Sequence, residues 1–292
     1  MTNTQALPFL DHLLSWRDHG KTPVIAEIKV RSAKEGPLME GRSVESVVEQ
    51  YVAGGAACLS VVTGRWFGGD WRLFEQVRAL TDLPILRKDF IVSRKELDAS
   101  RAMGANAVLL TRRLLRPEVL TKLAEEALAL ELTPFVEVAD ETELETTVLP
   151  RDAVLAINNR DIRIKETDDG DYQTSLRLSH LLSKPLSLEG RGVGERVNVS
   201  ERHSGQIGAA VTLSPALSPQ GRVSIPGDAI DIHTQRPRAL VSASGIRSTQ
   251  EAVSLIEAGF DGLLIGTALL RSSNIGKFLN DIRASLTSEA VA

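Results

Sequence analysis

The sequence predicts an α/β chain closed into a (β/α)8 (TIM) barrel, and three observations carry that reading. From Val24 onward, short apolar runs alternate with amphipathic helical stretches. The runs are almost continuously apolar, as strands covered on both faces of a parallel sheet must be. Eight such units can be counted, and no glycine-rich dinucleotide fingerprint marks the switch point of a doubly wound open sheet, the competing arrangement.

Taken in order, apolar positions 9, 10, 13 and 14 predict a short helix from Phe9 to Trp16, a brief N-terminal extension. Thr22-Pro23 breaks it, and Val24 to Lys29 reads as the first strand. After a glycine-containing loop (Arg31 to Arg42), a helix runs from Ser43, its expected N-cap, to Ala53. Strand Cys58 to Val62 follows, then a helix from Leu73 to Leu80 and a strand from Leu83 to Leu86. Helix Arg94 to Met103 leads to strand Ala107 to Leu110. Helix Pro117 to Leu130, with proline in its first turn, leads to strand Pro134 to Val138. Helix Glu141 to Val148 and strand Val154 to Ile157 complete six units. Ser175 to Leu182 supplies a helix, Ala239 to Ala243 and Gly262 to Ile265 the last two strands, Thr249 to Ala258 the helix between them, and Ile275 to Leu286 the final helix.

One interval breaks the rhythm. Lys184 to about Pro237 is surplus, rich in Gly, Ser, Pro and Arg and without sustained period. It reads as a flexible, disordered insertion (184–237) between strands six and seven of a single barrel domain spanning 1–292. Codons for its Gly-Glu-Arg-Val can, on the opposite strand in a shifted frame, encode its Thr-Leu-Ser-Pro. An inverted DNA repeat inserted in frame is therefore one reading, and a partner-binding loop the rival.

Composition narrows the function. With 42% hydrophobic and 25% charged residues and a net charge of −4, no basic field points to nucleic acid. The single Cys58 excludes an intrachain disulfide framework and suits a reducing cytosol. No apolar run approaches membrane-spanning length and the N-terminus lacks signal-peptide features, so a cytoplasmic protein is expected. The five histidines form no metal-ligand spacing, so no metal is expected, and there is no phosphate-binding GxxxxGK[ST] loop.

In such a barrel the chemistry gathers at the C-terminal strand ends. Those ends carry Glu27 and Lys29, Lys88, Glu137, Asn158 and Arg160, Ser244 and Gly245, and Gly266 with Thr267. Two lysines and two carboxylates in one mouth can divide the roles of general acid and base. The glycine turns after strands seven and eight can cradle a phosphate. Singly, each residue is as well explained as a helix cap or turn; together, at equivalent points of independent strands, they are not.

The segments IAEIK (25–29), GGAACLSVVT (54–63), FGG (67–69), LRKDFI (86–91), FVEV (135–138), INNRD (157–161), SGIR (244–247) and Gly266 to Arg271 resemble the indole-3-glycerol phosphate synthase family. Outside the insertion the resemblance covers nearly all of Val24 to Leu286. It implies a carboxy-lyase of tryptophan biosynthesis. That enzyme converts the phosphorylated small molecule 1-(2-carboxyphenylamino)-1-deoxyribulose 5-phosphate to indole-3-glycerol phosphate, with loss of carbon dioxide and water and without a cofactor. Carried across by position, Lys88 is the general acid and Glu137 the carboxylate of proton removal and dehydration. Lys29 holds the departing carboxylate, Glu27 orients the lysines, Asn158 binds the developing hydroxyl and Arg160 anchors its neighbours. Phe67 and Phe90, with Trp66 beside them, form the anthranilate slot. Gly245, Gly266 and Thr267 hold the phosphate, with Ser32 near and Ser244 in the substrate site. The resemblance also implies association with other tryptophan-pathway enzymes.

This chain departs from the family pattern in three places. The loop Lys29 to Gly36 reads KVRSAKEG where the family reads like KRASPSKG. Ala243 stands where the family carries a glutamate that helps hold the lysines. The stretch before the first strand is shorter than the helical extension that usually covers the mouth. A catalytically impaired homologue, a scaffold or degraded copy, is the alternative these departures raise, with another sugar-phosphate barrel enzyme behind it.

Overall fold

The computed structural model describes residues 8–21, 23–39, 41–161, 167–168, 170–182, 229–231 and 236–289. Eight parallel strands close on themselves: β1 (Val24–Ile28), β4 (Cys58–Val62), β5 (Ile85–Lys88), β6 (Ala107–Thr111), β7 (Thr133–Val138), β9 (Val154–Asn158), β11 (Ala239–Ala243) and β12 (Gly262–Ile265). Closure is made by β1, which pairs Ile25 with Cys58 on β4 and Ala26 with Ile265 on β12. Two small antiparallel pairs lie outside the barrel. One is the hairpin β2 (Arg31–Ser32) with β3 (Gly36–Pro37), and the other joins β8 (Val148–Pro150) to β10 (Ala229–Asp231).

Around the strands run α2 (Val44–Ala53), α3 (Trp71–Arg78), α4 (Arg94–Ala102), α5 (Pro117–Ala129), α6 (Glu141–Glu145), α7 (Gln173–Leu182), α8 (Thr249–Glu257), α9 (Thr267–Arg271) and α10 (Ile275–Glu289). Four of these starts follow from short polar side chains that satisfy first-turn amides. The Ser43 hydroxyl accepts from Ser46 N as expected, Asp70 from Leu73 N, Asp140 from Glu143 N and Ser248 from Glu251 N. Asp70 is why α3 begins at Trp71 and not at Leu73.

The alternation of each strand sorts its side chains into two cores. One core packs between barrel and helices and includes Ile28, Tyr51, Phe74 and Val136. The other fills the lumen with Ile25, Cys58, Leu86, Leu109, Phe135, Ala156, Val241 and Leu264. Two residues further along the same strands stand Glu27, Lys88, Glu137, Asn158 and Gly266. The column is thus apolar for most of its length and turns polar at its C-terminal end.

Several expectations are corrected. Strand β5 runs Ile85–Lys88, so Lys88 is its last residue and not a residue beyond a Leu83 to Leu86 strand. Helix α6 stops at Glu145, because Val148–Pro150 leaves to pair with Ala229–Asp231. That strand and the described Arg236 and Pro237 lie inside the stretch expected to be disordered; the rest of the stretch lies outside the described residues. The extra helix α9 begins at Thr267, directly after the last strand. The N-terminal helix α1 (Pro8–Asp18) does not cover the mouth. Phe9 meets Phe135 edge-on in the lumen, Leu13 abuts Gly262 at the start of β12, and Arg17 pairs with Asp261 just before that strand. Helix α1 therefore plugs the N-terminal end. Among the described residues no helix is long and apolar enough to cross a membrane.

Candidate active site

At the polar end of the lumen, Glu27 is buried between two ammonium groups. Its Oε1 lies 2.9 Å from Lys29 Nζ and its Oε2 3.2 Å from Lys88 Nζ. Burial pushes the Glu27 carboxyl up, but the charges of Lys29 and Lys88 outweigh that and hold it at about 2. The residue is therefore an anion at neutral pH, clamping both cations. Its backbone is held from behind by Tyr51 of α2, whose hydroxyl donates to Glu27 O at 2.9 Å. Gly266 faces Glu27 so closely that an added Cβ would sit 2.5 Å from Oε1. Any other residue there would displace the carboxylate.

Glu137 and Asn158 form the second pair. Asn158 Nδ2 donates to Glu137 Oε1 at 2.9 Å, and Asn158 Oδ1 accepts from Arg160 N at 3.0 Å. The amide is used at both ends, which fixes the orientation of the carboxylate.

Two recesses meet at Glu27 and Lys29, enclosing about 450 and 740 Å³ with their open mouths included. The smaller is a slot walled by Val62, Phe67, Phe90 and Leu109, with Lys88 and Glu137 at its polar side. The larger is a bowl with Arg160, Arg247 and Arg271 among its walls, closed by Ser244–Gly245 and Gly266–Thr267. Two buried donors of this bowl, Arg160 Nε and Thr267 Oγ1, have no hydrogen-bond partner among the described residues. A carboxylate also lines it, Glu35 of the β2–β3 hairpin, which is 3.5 Å from Arg271 Nε.

The structure thus brings Glu27, Lys29, Lys88 and Glu137 to one slot with Phe67 and Phe90. It brings Arg160, Ser244, Gly245, Gly266 and Thr267 to the adjoining bowl. Ser32 stands apart from both linings, its buried hydroxyl accepting from Glu35 N at 3.3 Å. Trp66 is 66% exposed and outside the slot lining. Ala243 is buried in the apolar lumen core, beside Asn158 in register. Reading the sequence missed Asp89, Leu109, Glu35, Arg247 and Arg271 as lining residues, and Asn159 beneath the bowl. For Arg271 a signal existed: it stands four residues after Thr267, one helical turn along. Among the described residues, no three His, Cys, Asp or Glu side chains gather to hold a metal ion.

Ser244 adopts φ 64°, and Gly245 follows at φ 68°. A non-glycine residue held there costs about 1–3 kcal/mol and persists only where its surroundings hold it in place. Among the described residues only Glu131 shares this feature.

Residues 2–204 match the family model "Indole-3-glycerol phosphate synthase", a match that stops inside the 184–237 stretch. The chain is similar to the indole-3-glycerol phosphate synthase of Burkholderia multivorans, 43% identical over 149 residues, 51% of this chain and 57% of that protein. The aligned part thus spans little more than half of that relative's length. It is also similar to that of Carboxydothermus hydrogenoformans, 31% identical over 273 residues, 93% of this chain and 83% of that one. Tryptophan synthase subunit alpha of Legionella pneumophila str. Paris shares the fold, with a TM-score of 0.55 over 97% of this chain and 100% of that one at 12% identity.

Proposed function

The chain belongs to the indole-3-glycerol phosphate synthase family, and from that premise we propose that it catalyses the family's ring closure. The substrate is 1-(2-carboxyphenylamino)-1-deoxyribulose 5-phosphate, and the products are indole-3-glycerol phosphate, carbon dioxide and water. The observation that carries the proposal is the Glu27 carboxylate between Lys29 and Lys88, at the junction of an apolar slot and a cationic bowl. A molecule with an aromatic ring at one end and a phosphate at the other suits that shape.

In this reading the anthranilate ring lies between Phe67 and Phe90. Its carboxylate is held by Lys29 and its phosphate lies in the bowl, where the buried Arg160 Nε and Thr267 Oγ1 have hydrogen bonds to give. Lys88, steadied by Glu27, donates a proton to the substrate carbonyl as the ring carbon attacks it. The new carbon–carbon bond forms, the carboxylate leaves as carbon dioxide, and its bonding electrons restore the aromatic ring. The resulting hydroxyl leaves as water on a second proton, given by Lys29, while Glu137, oriented by Asn158, takes the proton that the substrate loses as the double bond forms. The ring supplies the nucleophile and the substrate supplies the leaving groups, so the residues of this chain serve as acid, base and electrostatic clamp. Association with other enzymes of tryptophan biosynthesis belongs to the same proposal.

Incubating the purified protein with the carboxyphenylamino substrate tests it. Fluorescent indole product is expected, with one carbon dioxide released per product. Folded protein that yields neither would favour the catalytically impaired alternative, which rests on Ala243.

A further inference from the structure

We infer that Asn159 is a positioning residue for phosphate binding, acting by holding the Ser244–Gly245 turn in its left-handed shape. The inference rests on the reading of the bowl as the phosphate site. Asn159 itself does not line the bowl; it lies beneath it. Its Nδ2 donates to Ser244 O at 2.9 Å and to Ser242 Oγ at 3.0 Å. Its Oδ1 accepts from Ser175 N at 3.0 Å and Ser175 Oγ at 2.9 Å. Asn159 N donates to Ala243 O, and Asn159 O accepts from Asp171 N.

A side-chain amide has two donor hydrogens and an oxygen that accepts two bonds, and here all four positions are used. No other side chain of this size offers that set. Leucine, aspartate or serine would each leave a buried partner unsatisfied or set two acceptors face to face.

Packing points the same way. A Cβ added to Gly245 would lie 3.0 Å from Asn159 Cβ and 3.3 Å from the Gly170 backbone. Gly170, at φ 66°, comes so close that its own added Cβ would lie 2.8 Å from Gly245 Cα and 2.9 Å from Arg160 Cγ. Arg247 donates to Gly170 O at 2.9 Å. Ser244, Gly245, Ile246 and Arg247 form one wall of the bowl. The strained residue in that wall is the one whose carbonyl Asn159 holds. Releasing it lets the turn relax, and the wall loses the curvature that fits a tetrahedral anion.

The test compares the full-length protein with Asn159→Asp and Ser175→Ala, reading inorganic phosphate Kd, substrate KM and kcat, and inhibition by 2-aminobenzoate. Aspartate keeps an acceptor for Ser175 but opposes the Ser244 carbonyl. Asn159→Asp is expected to raise phosphate Kd and substrate KM together by about tenfold. Its kcat and the 2-aminobenzoate inhibition, which reports only on the slot, should stay near wild type. Ser175→Ala removes only the hydroxyl bond to Asn159 Oδ1 and keeps the backbone one, so it should lower the unfolding midpoint and leave phosphate Kd alone. Should Asn159→Asp not fold, Asn159→Ser, which also lacks the amide reaching Ser244, is read in the same way. Wild-type phosphate affinity in the aspartate or serine variant overturns the inference, as does a Ser175→Ala variant that weakens phosphate equally. Folded wild-type protein that turns over substrate but does not bind inorganic phosphate removes the bowl reading, and this inference with it.

Discussion

Glu27 has the most exacting position in the molecule, a buried anion between Lys29 and Lys88 with glycine forced opposite it. Replacing it by glutamine leaves two buried ammonium groups without that counter-charge, a change of about 3–5 kcal/mol in stability at pH 7. Urea unfolding measures it. The pH dependence has a definite sign. Burial raises the folded carboxyl, but the two lysines more than reverse this and bring it from 4.5 to about 2. A depressed acid contributes stability that is complete above its unfolded value and is lost as pH falls through the folded one. That contribution, about 3 kcal/mol, should fade between about pH 4.5 and 2 in the wild type, and Glu27→Gln should lack that part of the acid limb. Glu27, Lys88, Glu137 and Asn158 were legible because each stands two residues beyond a lumen-filling apolar residue, a pattern that strand alternation alone fixes. Asn159 was not legible. Its neighbour Asn158 points to the lumen, and nothing local shows that the next amide would meet Ser175, Ser242 and Ser244 from three different segments.

Among the elements, the clearest surprise is α1. A short amphipathic helix ahead of a barrel can cover either end. Only the tertiary contacts of Phe9, Leu13 and Arg17 assign it to the end away from the site. Phe9→Ala should therefore cost about 3–5 kcal/mol of stability and leave KM unchanged, as chemical denaturation and steady-state kinetics would reveal. The β2–β3 hairpin works at the opposite end. Glu35 reaches Arg271 of α9, and Arg271 Nη2 donates to Glu35 O at 2.8 Å. This half-exposed pair places a carboxylate against the bowl proposed above to take the phosphate. Pairs of this exposure are worth about 0.2–1 kcal/mol, so Glu35→Gln should tighten inorganic phosphate by about 1.4- to fivefold. The gain should shrink in high salt. Weaker binding by Glu35→Gln would mean that the clasp shapes the bowl more than its charge disturbs it. The end of α6 and the β8–β10 pair escaped the sequence because a three-residue strand has too short a period to register, and its partner lies some 80 residues away.

At the scale of the whole molecule, the barrel closes without help from the surplus stretch. Strand β9 pairs directly with β11 over five residues, from Ala239 with Val154 to Ala243 with Asn158. Helix α7 is tied to the bowl through Ser175, near its start, so changes after Leu182 enter at its far end. We propose that the chain is one barrel domain and that residues 184–227 are dispensable to it. A variant lacking them but keeping Ala229–Asp231 should restore growth of a tryptophan auxotroph as well as the full chain does. Loss of growth would make that stretch part of the working enzyme. Fold class and strand count were legible throughout because eight buried parallel strands impose a repeating apolar signature. The surplus stretch stood out by breaking it.

The proposed role of Lys88 as proton donor in the ring closure can be put to a single measurement. Wild type and Lys88→Ala, both verified as folded by circular dichroism, are given the carboxyphenylamino substrate while indole fluorescence is followed. Steady product formation is expected of the wild type, and a fall in kcat of about 10²–10⁴-fold in the variant. A Lys88→Ala enzyme that forms product at the wild-type rate would contradict that role.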